Sequence, residues 1–301
     1  MAIGFSRCRV LAVVGSPMST QVDPLYAEAR SVLLDALEAL RPHLDAIVVV
    51  GAQAVYIRTG PIDIPIAPFT TDGDLALDPT RLDDEPYLIE VMGGAGFRLE
   101  PTQNPEPGIW VTTRVVAGKN VDLPIDLIVP NDLAAKGGRR GARLGPHGKL
   151  AARKIPGLEA AVIDNNALKI GSLTKDDDRA IKAKVAGPTA LLVAKAIKIQ
   201  ERLEDARRPD RILDKDAGDA YRLMQTSNPE GCARTAAELV EHAVSGDSIR
   251  GGVESLIKQF QAPGSPGTSM ATRYFQGAVP EDRVRAVCTG FISAFLETFK
   301  T

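Results

Sequence analysis

The chain is poor in soft metal ligands. Its three cysteines (Cys8, Cys232 and Cys288) and three histidines (His43, His147 and His242) are scattered through 301 residues. No CxxC pair exists, so neither a disulfide framework nor a thiolate or His-rich zinc site is expected. A reducing, cytoplasmic setting is the expectation. Aromatic residues make up only 5% of the chain and Trp110 is its single tryptophan, which argues against a base-stacking platform. No apolar run approaches the roughly 18 residues that span a bilayer, so no membrane partner is expected. Arg7 and Arg9 precede a short apolar run at 10–15, but Pro17 and a polar segment follow. That run reads as a short buried strand or an extended arm rather than a secretion signal. Charge of one sign is not in excess either: 36 Lys and Arg stand against 38 Asp and Glu, a net −2. There is no overall pull towards nucleic acid or membrane, and any such binding must come from local clusters.

What is present is an ordinary globular composition, 44% hydrophobic and 25% charged, long enough for one large or two modest domains. Apolar residues at helical spacing predict a helix over 24–41, stopped by Pro42. A β-branched run predicts a strand at 45–50, Gly51 ends it, and 52–58 reads as a short helix. Residues 60–70 form a proline-rich loop, and 72–77 alternates like a strand. A helix is expected over 81–95, strands at 109–116 and 121–129 with a turn at 118–120, and further strands near 160–173 and 181–186. After Gly187-Pro188 the pattern is helical: 189–206, 212–226, 231–245, 249–260 and 281–299, with 261–267 (QAPGSPG) as a linker. The expected fold class is α+β, with an α/β domain at 1–186 and an α-helical domain at 187–301.

Two features of the first half point to chemistry. Gly51-Ala52-Gln53-Ala54 follows a strand and opens a helix, a geometry whose free backbone N–H groups suit a phosphate. Asp72 and Asp74 lie two residues apart on a strand, so both carboxylates share one face. They repel unless a cation sits between them, and magnesium or manganese is the expected ion. Asp126, flanked by Ile125 and Leu127, is a third strand-borne carboxylate that is costly to bury unpaired. Asp122 lies nearer the turn and reads as solvated. The structural alternative for an Asp-x-Asp pair is a turn cap. This is how Asp63, Asp78, Asp83 and Asp84 read.

The order of these elements resembles the nucleotidyltransferase superfamily of polymerase-β-like enzymes. The resemblance implies a mixed sheet, Gly51 and Ala52 in a phosphate-facing turn, Asp72 and Asp74 as metal ligands and Asp126 as the third carboxylate. Ala52 departs from the usual Gly or Ser and offers only its backbone N–H.

In the second half, Lys195 follows an apolar stretch and shares a helix side with Leu191 and Leu192. It is placed to bind phosphate oxygens or to pair with Asp216 across a helix hairpin. Lys198, Glu201, Glu204 and Asp205 read as a solvated helix surface. The stretch LLVAKAIKIQER…RRPDRILDKDAGDAYRL, with GAQA, TTDGDLAL and IDLIVP, resembles the AbiEii/AbiGii (MenT-like) toxin family over residues 46–223. That resemblance implies Lys195 as the nucleotide-contacting lysine, Asp216 as the acid of the second motif, and Lys215 and Asp219 beside it. It implies transfer of a nucleoside monophosphate from a nucleoside triphosphate to an acceptor hydroxyl, with RNA, a tRNA 3′ end, as acceptor and a cognate antitoxin as partner. Residues 224–301 match no motif.

Between Asp132 and Glu159 there are seven Lys or Arg and no Asp or Glu. Arg139, Arg140 and Arg143 are the candidate phosphate or nucleic-acid contacts. The alternative is a solvated basic loop or an antitoxin-facing patch. The glycines there suggest mobility or close approach to a ligand. Two competing functions stay open: the same chemistry on a small-molecule or protein hydroxyl, and a non-catalytic nucleotide-binding protein with a degenerate site, which Ala52 favours.

Overall fold

Asp23 begins the first helix: its Oδ1 accepts the N–H groups of Leu25 and Tyr26 at 2.8 and 3.2 Å, and Pro24 takes the first turn. The structure is a computed structural model that describes residues 22–62, 64–100, 106–136, 140–243 and 245–299. The apolar run at 10–15, Asp63 and Arg139 lie outside these residues. Helix α1 is Pro24–Ala39, and Pro42 falls in a 3₁₀ turn at Arg41–Ala46. Strand β1 is Ile47–Val50, helix α2 Gly51–Thr59 and strand β2 Gly73–Leu77.

Helix α3 is confined to Leu88–Gly94, shorter than the expected 81–95. Pro86 disfavours helical backbone in the residue before it, so 81–85 cannot join the helix. Strand β3 is Arg98–Leu99, β4 Ile109–Val116 and β5 Lys119–Pro130. The hairpin between β4 and β5 turns at Ala117 and Gly118, both at positive φ (50° and 76°), one residue earlier than expected. Strand β6 is Arg153–Ile155, β7 Asn165–Gly171 and β8 Ala180–Ala186.

These strands form one mixed sheet in the order β3-β4-β5-β2-β1-β8-β7, with β6 added beside β5. The pairs β1–β8, β2–β5 and β5–β6 are parallel, and the others are antiparallel. Leu123, Ile125, Leu127 and Val129 alternate on one face of β5 and are fully buried. A Cβ on Gly73 would meet Ile125 and Leu33, so this face lies under α1. Asp74 and Asp126 therefore project from the opposite face.

From Pro188 on, every described element is helical. Helix α4 is Pro188–Glu204, α5 Asp214–Thr226, α6 Pro229–Val240, α7 Gly246–Phe260, α8 Pro266–Tyr274 and α9 Glu281–Phe299. Helix α8 corrects the expected linker at 261–267: Pro266 opens a helix rather than ending one, in its favoured first-turn position. The fold is α+β, a mixed sheet followed by a helical region, and the two share one continuous hydrophobic core. Among the described residues no helix is long and apolar enough to cross a membrane.

Candidate active site

Strand register assembles the carboxylates. In the parallel pair β2–β5, Asp74 stands directly beside Asp126. Asp72 precedes β2 by one residue and its carboxylate accepts the Thr70 hydroxyl. Burial, and then the charge of Asp72, push the Asp74 carboxyl up to about 6. Burial and Asp74 push Asp126 up to about 7. Both shifts record burial first and a neighbouring carboxylate second, which the local cations do not offset. Asp122, by contrast, sits exposed near the turn of the hairpin, where Thr113 Oγ1 and Arg98 Nη2 donate to it at 2.6 and 3.1 Å. Asp78 caps a turn through the Thr80 N–H at 2.9 Å.

Gly51 is required by this cluster. It follows Val50, the β1 residue paired with Asp74. Its φ is +68°, and a Cβ on it would stand 1.9 Å from Asp74 Oδ2. The missing side chain is thus the space in which the Asp74 carboxylate lies. Helix α2 begins here with no side-chain cap, so its first N–H groups are available to an anion. Ala52 is buried and offers its backbone alone. Gly51→Ala is expected to destabilise the fold by at least about 1–2 kcal/mol from the left-handed backbone alone, before the displacement of Asp74 is counted. An unchanged urea midpoint would refute this.

The raised pKa of Asp74 carries a second expected result. The unfolded chain ionises this group near 3.8, the folded chain near 6. Folding therefore favours the protonated form, and the destabilisation is absent below about pH 4 and complete above about pH 6. Metal-free Asp74→Asn is expected to match wild type at pH 4 and to exceed it by on the order of 2 kcal/mol at pH 8. Equal stabilities across that range would contradict the shift.

A hard-oxygen donor set with surplus negative charge fits magnesium or manganese. It is not a ready three-ligand cage. Among the described residues no three His, Cys, Asp or Glu side chains are set to hold a metal ion. Arg153 on β6 also reaches the cluster, and its Nη2 donates to Asp126 Oδ2. Sequence reading counted Arg153 only as part of the basic segment. What places it is the three-residue strand β6, which has no periodic signal of its own.

The same Arg153 lies 3.7 Å from Glu106, which also binds Arg140. The basic loop is therefore tied down by an acid from before β4. Gly141 bridges to Arg153, and a Cβ on it would meet the Lys149 carbonyl at 2.3 Å. At this position the glycine serves backbone against backbone rather than backbone against ligand. Arg140 and Arg143 are exposed.

Lys195 makes the Asp216 pairing that its sequence allowed, and adds Asp219. It is 5% exposed, and its Nζ donates to Asp216 Oδ1 at 2.9 Å and to Asp219 Oδ2 at 2.7 Å. Burial alone would lower its pKa, but Asp219 and Asp216 hold it above the lysine range. Despite their own burial, Lys195, with Lys198 and Arg202, holds Asp216 low, and Lys195 with Lys215 holds Asp219 low. Tyr56 Oη lies 3.0 Å from Asp219 Oδ1, and Lys215 Nζ lies 3.3 Å from Asp219 Oδ2. Lys195, Asp216 and Asp219 are thus a buried ionic cluster joining α4 to α5, with the half-buried Lys215 at its edge. Lys195 spends two of its three N–H groups on carboxylates and lies buried while doing so.

No protein-family model matches the chain, and a comparison with curated proteins found no match. Among solved structures, an antigenic nucleotidyltransferase-like protein from Paracoccidioides brasiliensis is similar at a TM-score of 0.40 and 15% identity, over 76% of this chain and 94% of that one.

Proposed function

We propose that the chain is a metal-dependent nucleotidyltransferase. The observation that carries this reading is the pairing of Asp74 with Asp126 across β2–β5, with Asp72 on the same side and the uncapped start of α2 against Asp74. Asp72 and Asp74 would hold magnesium or manganese. Such an ion, when bound, offsets charge on the phosphoryl oxygens of the attacking and leaving groups. The first N–H groups of α2 donate to a phosphate of the nucleoside triphosphate. Asp126, with a pKa of about 7, is suited to take the proton of the acceptor hydroxyl near neutral pH. The new bond joins the acceptor oxygen to the α-phosphorus, the α–β bridge breaks, and pyrophosphate leaves.

The exposed Arg143 and Lys149, beside a strand that reaches Asp126 through Arg153, favour RNA as acceptor. With the resemblance to the toxin family, the acceptor is read as a tRNA 3′ end, the role as that of a toxin restrained by an antitoxin, and the setting as cytoplasmic. The tie from Glu106 to Arg140 and Arg153 withdraws part of that positive charge. It favours a second reading in which a small-molecule or protein hydroxyl is the acceptor.

The test is incubation with each α-labelled nucleoside triphosphate, magnesium or manganese, and pools of RNA, protein and small metabolites. Label at RNA 3′ ends is the expected result. Label in another pool would move the acceptor and keep the chemistry. No transfer from any nucleotide to any pool would sink the proposal.

A further inference from the structure

Lys195 is buried and donates two of its three N–H groups to carboxylates, so a more open cation is better placed to meet the nucleotide's polyphosphate. Helix α4 turns three cations towards Asp216: Lys195, Lys198 and Arg202, one and two turns apart. They are not equivalent. The Lys195 side chain is 6% exposed and the Arg202 side chain 16%, whereas that of Lys198 is 47% exposed. Lys198 reaches only Asp216 Oδ1, at 3.2 Å, an oxygen that Lys195 already holds at 2.9 Å. It is the loosely held member of the set, with its ammonium open to one side.

Its charge also acts on the strand carboxylates. Among the cations that hold the Asp74 carboxyl down, Lys198 ranks ahead of Lys195 and Arg153, and at Asp126 it follows only Arg153. Helix α2 joins the two clusters, with Gly51 at its start against Asp74 and Tyr56 Oη 3.0 Å from Asp219 Oδ1. Burial of its surroundings and the charge of Lys195 lower its own pKa, so it is crowded by like charge and gains from an added anion. From the open ammonium, the oxygen it shares with Lys195 and the link through α2 to the carboxylate cluster, we infer that Lys198 contacts the polyphosphate of the bound nucleotide, and that Lys195 positions it by fixing Asp216. This inference rests on the triphosphate reading above.

The experiment is calorimetric titration of the full chain, with magnesium, against the four nucleoside α,β-methylene triphosphates and inorganic tripolyphosphate. These nucleotides cannot undergo transfer, so binding is read alone. Lys198→Ala is expected to weaken both kinds of ligand about tenfold or more, the scale of one lost charge-assisted phosphate contact. Lys198→Arg is expected to recover most of that loss. Arg207→Ala removes the same charge from a side chain 93% exposed just beyond this helix, and is expected to bind as wild type does. Lys198→Gln serves in place of the alanine variant should that one unfold. Wild-type affinity in the neutral Lys198 variants overturns the inference and leaves the triphosphate reading intact. A folded wild type that binds none of the probes overturns both.

Discussion

Lys195→Met is expected to cost about 3 kcal/mol of stability, read as a lower urea midpoint and a melting temperature lower by roughly 10 °C. Removing one partner of a buried ion pair leaves the other charge desolvated and uncompensated, which typically costs about 3–5 kcal/mol. The lower end applies here for a stated reason. Asp216 keeps Lys198 and Arg202, and Asp219 keeps Lys215 and Tyr56. Neither carboxylate is stranded outright. Adding Asp219→Asn to Lys195→Met removes one of the uncompensated charges and is expected to restore part of the loss. If Lys195→Met kept wild-type stability, the ionic cluster would not be what holds α4 to α5. Loss of transfer in this variant is therefore uninformative about chemistry unless its folded fraction is measured alongside.

Asp72→Ala and Asp74→Ala are expected to lower nucleotide transfer by on the order of 10³-fold or more in the labelling assay. Metal-bound carboxylates supply several kcal/mol of charge stabilisation that no neighbour replaces. The pairing of this result with the pH experiment gives it force. Asp74→Asn should gain stability at pH 8 and lose activity at the same pH. A residue kept for structure would lose both together. Opposite signs are what a site that sacrifices stability for function shows. An Asp74 variant that transfers nucleotide at the wild-type rate would end the metal-site assignment.

The two halves of the molecule were not equally legible. Strand β4, Ile109–Val116, and the long helices α1, α4 and α5 follow from local periodicity, because each buries one face along its own length. Asp74 and Asp126 stood out for a related reason: a carboxylate inside an apolar strand is out of place locally, whatever surrounds it. Strand β6 was not legible. Three half-buried residues have no pattern, and they become a strand only because β5 offers them partners. Helix α8 was hidden by the glycines, prolines and serines of 261–267, although Pro266 was a usable start signal.

Side-chain partners mark the boundary most clearly. The sequence by itself determined that Lys195 is cationic on an apolar helix face, that Asp216 and Asp219 share a side of α5, and that two aspartates flank Gly73. It could not choose between phosphate and Asp216 as the partner of Lys195, add Asp219 to that pair, or say that Arg153 would reach Asp126. Those outcomes depend on which elements pack together, and a charge pairs with what tertiary structure brings within about 4 Å, not with what lies near it along the chain. Gly51 shows the same division. Its place at a strand end was readable, but only the β1–β2 register turned its missing Cβ into the seat of the Asp74 carboxylate.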